Sequence, residues 1–262
     1  MSHAPLVSVV MPVYNHENYV AEAIRSVFEQ SLRPIELIMI DDGSTDDSVK
    51  RIETYLAENP APEGVSVHFN TRNNQGAHHT INEGLAASKG EYIAILNSDD
   101  RYMSERLAKC VATAKEHRAR MVFTYVDPID DDGNPLSHDH RWRSWYADVK
   151  MEELDVAPSI SSLLLRYNIT ISTGNFVFHR SLLEDVGYFE DFRYAHDVDY
   201  ALRVCLLEEP VILREKLYYY RVHTANTIAE SNERITKEYA EIVRRYLKKA
   251  LTGEAKNPFA PN

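Results

Sequence analysis

The chain has 262 residues, 44% of them hydrophobic and 26% charged, and carries a formal net charge of −11 at pH 7. That length can bury a sizeable core, as one large domain or one and a half small ones. The acidic balance argues against a nucleic-acid partner, which needs clustered Lys and Arg against phosphate. No apolar run approaches the ~20 residues needed to span a bilayer. Residues 1–5 lack the basic-then-apolar pattern of a secretory leader, so a cytoplasmic location is the expectation. The two cysteines, Cys110 and Cys205, fall on the apolar sides of predicted helices and read as buried free thiols rather than a disulfide.

In chain order, residues 7–11 form a β-rich run stopped by Pro12, and a loop through Val13, Tyr14, Asn15 and His16 follows. Val20, Ala23, Ile24, Val27 and Phe28 then share one stripe of a helix. A second strand over residues 36–40 runs into the turn Asp41, Asp42, Gly43, Ser44, Thr45 and Asp46. Ser44 or Thr45 is the expected N-cap of the next helix, which buries Val49, Ile52 and Leu56. Two βα units in succession predict a parallel sheet with right-handed crossovers. Residues 65–69 alternate as a third strand, and Arg72, Asn73, Asn74, Gln75 and Gly76 lead into a helix burying Ala77, Ile81, Leu85 and Ala86.

The fourth strand, residues 92–96, is apolar throughout and ends in Asn97, Ser98, Asp99 and Asp100. Such a short run reads as a strand buried on both faces, with its carboxyl end at a ligand crevice. Adjacent carboxylates there repel each other unless a positive charge lies between them. Two readings follow: a divalent cation carrying a phosphorylated ligand, or an acidic turn with Asp100 or Ser104 capping the next helix. That helix packs Leu107, Cys110, Val111 and Ala114, and residues 121–126 form a fifth strand. Residues 127–150 are polar and turn-rich, with a hairpin tip at Asp131, Asp132, Gly133 and Asn134 and with Trp142 and Trp145 close together. A short helix at 161–166, a strand at 174–180, a helix at 197–203 and a strand and turn at 217–223 complete the domain. Residues 232–251 read as an amphipathic helix, basic toward its end, followed by a Pro-rich terminus.

Four polar clusters fall at strand ends: 12–15, 41–44, 72–76 and 97–100. In one parallel sheet they converge on one edge, and that convergence outweighs any of them singly. The phosphate-cradling patterns G-x-G-x-x-G and G-x-x-x-x-G-K-[ST] are both absent. Without a glycine cradle, diphosphate charge must be neutralised by metal on carboxylates, which Asp99 and Asp100 could supply. His78 and His79, and His138, Asp139 and His140, match no zinc spacing and read as solvent-exposed.

The chain resembles the family 2 inverting glycosyltransferases of GT-A fold. The likeness is carried by residues 8–15, 40–46, 82–84, 90–93, 97–100 and 196–199 in the family's order and spacing, spanning about residues 7–225. The fold it implies is α/β, a Rossmann-like and mostly parallel central sheet flanked by helices, with a smaller acceptor-side region and a C-terminal helix. One GT-A domain would cover 1–230, with a nucleotide-binding half to about 126 and an acceptor-binding half after it, and the helix and tail would cover 231–262.

By resemblance, Pro12 and Tyr14 line the nucleoside pocket with Asn15 beside them, and Asp42, with Asp41, accepts a hydrogen bond from the base, typically uracil. Arg72 is a candidate phosphate or ribose contact. Asp99 contacts ribose or metal, and Asp100 is the first choice for Mn²⁺ or Mg²⁺ bridging the diphosphate, with His223 approaching from the C-terminal side. Asp197 matches the catalytic base. The chain departs from the family's pattern at His196, where Glu is common, and at Asn97, where Asp is; the first puts an imidazole beside the base, the second an amide at the ribose. Trp142, Trp145 and Tyr146 offer aromatic faces for an acceptor sugar, with a small aromatic core as the alternative. The acceptor itself would be a saccharide or a lipid- or protein-linked glycan, in polysaccharide or glycoconjugate biosynthesis. Rival readings are a nucleotidylyltransferase, whose glycine-rich signature is absent, and a non-catalytic nucleotide-sugar-binding or assembly module, against which Asp42, Asp100 and Asp197 together speak. Arg244, Arg245, Lys248 and Lys249 beside an apolar stripe fit either a helix packed on the domain or a second subunit, or peripheral contact at the inner face of a membrane.

Overall fold

The computed structural model describes residues 4–137, 140, 142, 149–224, 226 and 232–260. The strands are β1 (Val7–Val13), β2 (Ile35–Asp41), β3 (Val65–Thr71), β4 (Tyr92–Ile95), β5 (Arg101–Tyr102), β6 (Met121–Ile129), β7 (Val177–His179) and β8 (Val211–Arg221). They form one sheet in the order β3-β2-β1-β4-β7-β6-β8-β5. The first four run parallel, as two βα units in succession demand. β7 is antiparallel to β4 and β6, β8 returns parallel to β6, and β5 lies antiparallel on β8.

Helices α1 (Val20–Phe28), α2 (Ser48–Glu58), α3 (Ala77–Ala87) and α4 (Arg106–His117) are followed by α5 (Val149–Val156), α6 (Ile160–Leu164), α7 (Leu182–Asp185), α8 (His196–Cys205) and α9 (Asn232–Leu251). β1 shows how they layer. Successive side chains of a strand point to opposite faces, so Val7, Val9, Met11 and Val13 pack with α1 and α4, while Val10 packs with Ile81 and Leu85 of α3 and Val198 and Leu202 of α8. Each such buried aliphatic contributes about 1.5–3 kcal/mol relative to exposure. α3 lies so close to β1 that a Cβ on Gly84 would stand 2.3 Å from Val10 Cγ1. Cys110 and Cys205 are buried free thiols.

α9 packs Ile242, Tyr246 and Ala250 into the same layer as α8. Its Arg245 pairs with Glu190 at 2.7 Å, and Arg244 and Arg245 both bind Glu241. Among the described residues, no helix is long and apolar enough to cross a membrane.

Three local expectations change. α2 starts at Ser48, after Asp47, because Ser44 and Thr45 are engaged elsewhere: Ser44 Oγ accepts the Asn15 N–H and the Thr45 N–H donates to Asn15 Oδ1. α4 starts at Arg106 after Glu105, so neither Asp100 nor Ser104 caps it. His78 is buried rather than exposed, because Asn82 of the same helix binds both backbone groups of Phe189 and brings the 189–192 segment against it. Trp145, Tyr146, His138 and Asp139 lie outside the described residues.

Candidate active site

The carboxyl ends of β1 to β4 meet along one edge of the sheet. Asp42 N–H donates to Val13 O at 2.8 Å, Arg72 N–H to Asp41 O at 3.0 Å, and Leu96 N–H to Val10 O at 3.0 Å. Asp41 Oδ2 accepts the N–H groups of Gly43 and Ser44, while its buried Oδ1 has no partner. Asp42 accepts the N–H of Gln75 on one oxygen and of Gly76 on the other, at 2.9 and 2.8 Å. Arg72, offered by the sequence as a donor contact, stands 3.0 Å from Asp42 Oδ1 and also holds Thr80 Oγ1 at 2.7 Å. Gly43 sits at φ +74°, where a Cβ would be 2.8 Å from Asn74 N, so only glycine lets the two loops close on each other. Asn15, also left-handed at φ 54°, ties the β1 loop to the β2 loop through Ser44 and Thr45. Tyr14 beside it is 46% exposed, and Pro12 is half-buried at the end of β1.

The two aspartates after β4 have different surroundings. Asp100 faces inward: its oxygens accept the Tyr218 hydroxyl at 2.5 Å, the Arg221 N–H at 2.7 Å and the Asn97 amide at 3.2 Å. Burial and the neighbouring Asp99 charge push its carboxyl well above the ordinary range, against those three donors. Asp99 instead turns toward two imidazoles. His223 Nε2 lies 3.1 Å from Asp99 Oδ2, and His16 Nε2 lies 3.7 Å from it. Burial alone would raise the Asp99 carboxyl, but His16 and His223 outweigh it and hold it below the usual range. Asp99 Oδ1 is buried without a partner. His16, Asp99 and His223 offer three ligand atoms within 4.8 Å of one another. A carboxylate with two imidazole nitrogens against its Oδ2 and a second oxygen, Oδ1, buried without a partner is a donor set that fits a divalent cation.

Asp197 is the second residue of α8, where a carboxylate is favoured by the helix dipole. It is buried, and its oxygens accept the Val198 N–H at 2.8 Å and the Asn168 amide at 2.6 Å. Burial raises its carboxyl above the usual range, with His196, Asn168 and Val198 acting the other way. His196 is half-buried, its Nδ1 3.2 Å from Phe192 O. Asn168 also orders its own loop, its Oδ1 accepting from Thr170 and Ile171. Four residues after Asn168, Ser172 Oγ accepts the Asn97 amide at 2.7 Å. Trp142 stacks on Tyr220, centroids 5.2 Å apart and planes 17° apart. The Tyr220 hydroxyl is raised by burial and by the charges of Asp100, Asp99 and Asp197.

A model of glycosyl transferase family 2 matches residues 8–187, well over half of the chain. The chain belongs to glycosyl transferase family 2. An uncharacterised glycosyltransferase of Nostoc sp. is 29% identical over 225 residues, covering 84% of this chain and 66% of that protein. Among solved structures, S. aureus TarS 1–349 in complex with UDP-GlcNAc superposes with a TM-score of 0.67 at 20% identity, over 94% of this chain and 66% of that one. The mannosyltransferase PcManGT of Pyrobaculum calidifontis, in complex with GDP-Man and Mn²⁺, superposes with a TM-score of 0.63 at 16% identity, over 96% and 76%. This chain thus spans about two thirds of the Nostoc relative, and its fold is GT-A.

Sequence reasoning passed over several residues of this family 2 glycosyltransferase site. His16 adjoins Asn15 in a loop already singled out, but nothing in its spacing ties it to Asp99. Tyr218 and Arg221 lie in β8, which ends two residues before His223, so the period of that strand was a usable signal. Asn168 lies in an irregular loop with no local signature. Arg106, fully buried, donates to Thr124 Oγ1 and to Asn175, under the rings of Tyr102 and Tyr218. A lone arginine at the start of an amphipathic helix reads as solvated, and only the fold turns it inward.

Proposed function

We propose that this glycosyltransferase moves a sugar from a UDP-sugar to an acceptor hydroxyl with inversion, in polysaccharide or glycoconjugate assembly. One observation carries the reading. A single loop, residues 168–172, holds the Asp197 carboxylate through Asn168 and the Asn97 amide through Ser172. The base and the donor motif therefore share one rigid frame, which an in-line displacement needs and a passive binding module does not.

Pro12 and Tyr14 would flank the nucleoside, with Asp42 and Asp41 taking hydrogen bonds from uracil and Asn97 and Asn15 contacting the donor. Asp42 is preset for this by Arg72, which acts on it directly rather than on phosphate. Asp99 and His223 would hold Mn²⁺ or Mg²⁺. Asp100, the first choice from sequence, already accepts three hydrogen bonds and is assigned to bracing β8. The cation, when bound, offsets the charge that builds on the leaving diphosphate. Asp197 takes the proton of the acceptor hydroxyl as its oxygen bonds to the anomeric carbon and the bond to the diphosphate breaks on the opposite face. Trp142 on Tyr220, with His196 next to the base in sequence, would supply the acceptor surface. The nucleotide-binding half then falls at about residues 1–126 and the acceptor half at 127–230.

A panel of UDP-sugars, with GDP-mannose as the contrast, should yield UDP release that requires both divalent metal and acceptor. Asp197→Asn should retain UDP binding and lose roughly 10²- to 10⁴-fold in turnover. Equal turnover by native and variant proteins would sink the assignment of Asp197. Binding without turnover for every donor and acceptor pair would favour the binding-module reading.

A further inference from the structure

We infer that His16 is a third protein ligand of the donor cation, and that it makes the site select Mn²⁺ or Co²⁺ over Mg²⁺. The inference rests on the assignment of the cation to Asp99 and His223.

Three independent features place His16 there. First, its Nδ1 lies 2.7 Å from Ser98 Oγ, the residue immediately before Asp99. With the ring proton on Nδ1 and Ser98 accepting it, Nε2 is left with a free lone pair, and Nε2 is the atom that faces Asp99 Oδ2. Imidazoles that bind metals are oriented in this way, by a partner on the other nitrogen. Second, the ring is fixed before any ligand arrives. The His16 N–H donates to Ser48 Oγ at 2.8 Å, and its carbonyl accepts from Tyr19 and Val20 at the start of α1. The Tyr19 ring lies 6.1 Å from the His16 ring and 5.2 Å from the His223 ring, and the two imidazoles stand edge to face at 5.9 Å. Third, the carboxylate that both imidazoles face through Oδ2 has a second oxygen, Oδ1, buried without a partner, which a cation held by both carboxylate oxygens would satisfy.

The chemistry of the set decides the metal. Mg²⁺ prefers oxygen ligands in near-ideal octahedral geometry and keeps its waters, whereas imidazole suits the later transition ions. One carboxylate and two imidazoles leave further positions for diphosphate oxygens and water, and give nitrogen ligands that Mg²⁺ uses poorly. Along the Irving–Williams order the site should hold Co²⁺ more tightly than Mn²⁺, and Mg²⁺, which lies outside that series and prefers an all-oxygen shell, should bind least tightly. Ser98 is a positioning residue in this scheme, since it acts through His16.

The test is calorimetric titration of the full chain with Co²⁺, Mn²⁺ and Mg²⁺ in the presence of UDP, with the visible spectrum of bound Co²⁺ as a second readout. His16→Asn keeps a polar side chain near Ser98 but removes the imidazole. It should weaken Co²⁺ and Mn²⁺ by at least about tenfold and change the Co²⁺ spectrum, while Mg²⁺ shifts by less than about threefold. Ser98→Ala should weaken Co²⁺ and Mn²⁺ in the same direction by less. Metal-free UDP binding, measured alongside, reports whether each variant keeps its fold. Unchanged Co²⁺ and Mn²⁺ affinity in His16→Asn overturns the third ligand, and equal losses for all three ions overturn the selectivity. A native chain that binds UDP but none of the three ions overturns the cation assignment itself, a result distinct from either.

Discussion

Asp197 shows how one residue's environment sets its chemistry. In the proposed role of general base it must be ionised before it can accept a proton, yet burial favours its neutral form. The Asn168 amide and the Val198 N–H, both donating to it, favour the carboxylate and limit that rise. Activity should therefore increase with pH through a value above the ordinary aspartate range. Removing the amide in Asn168→Ala should move this acid limb to higher pH, because the carboxylate loses a donor while its burial stays. A kcat/KM profile from pH 4 to 8 for native and variant proteins measures the shift, and a limb that stays in place would mean that Asn168 only shapes the loop. The same variant tests the loop role, since Asn168 Oδ1 also holds Thr170 and Ile171, and Ile171 sits at φ 71°, a costly conformation for a β-branched residue.

At the scale of elements, the site depends on the end of β8 meeting the residues that follow β4. Tyr218 and Arg221, one on each side of a turn of the strand's pleat, both donate to Asp100, and Arg221 also binds Asp99 O, Glu22 and the carbonyls of Asp130 and Asp131. The 3₁₀ turn Thr173–Asn175 lies against that strand with no room to spare. A Cβ on Gly174 would stand 1.9 Å from the Tyr218 hydroxyl and 3.2 Å from Asn97 N. Gly174→Ala should thus displace Tyr218 from Asp100 and cost about 1–3 kcal/mol in stability. Denaturant unfolding measures the loss, and weaker donor binding should accompany it because Asn97 is displaced together with Tyr218. Stability and binding that both match the native chain would show that β8 can retreat freely, contrary to its hydrogen bonding.

For the molecule as a whole, the question is what α9 does. Its apolar stripe reads from sequence as a face for the domain, for a second subunit or for a membrane. Ile242, Tyr246 and Ala250 are buried with α8, and the basic Arg244 and Arg245 bind Glu241 and Glu190. The stripe is therefore covered by the chain's own core. Ile242→Ala should cost about 2–5 kcal/mol, the range for a buried aliphatic that leaves a cavity, and lower the thermal midpoint accordingly. A midpoint unchanged from native would indicate that α9 is detachable and its stripe available to a partner.

The strand-and-helix alternation, the apolar central strands and the polar strand ends were legible in the amino-acid order because each follows from local periodicity. β1 to β4, α1 to α4 and the convergence of Asp42, Asn97 and Asp99 on one edge follow from that alternation, since parallel βα units place their carboxyl ends together. The proposed role of Asp197 rests on family resemblance, and its pairing with Asn168, 29 residues away in an irregular loop, carried no signal in the sequence. What tertiary structure alone decided is what each carboxylate meets. Asp99 and Asp100 are adjacent and chemically identical in sequence, but successive residues leave the chain in different directions. One meets Tyr218 and the Arg221 backbone, the other meets His16 and His223 from segments 83 and 124 residues distant. Long-range pairing carries no local signal, so the different contacts of these neighbours appear only once the fold has brought the loops after β1, β4 and β8 together.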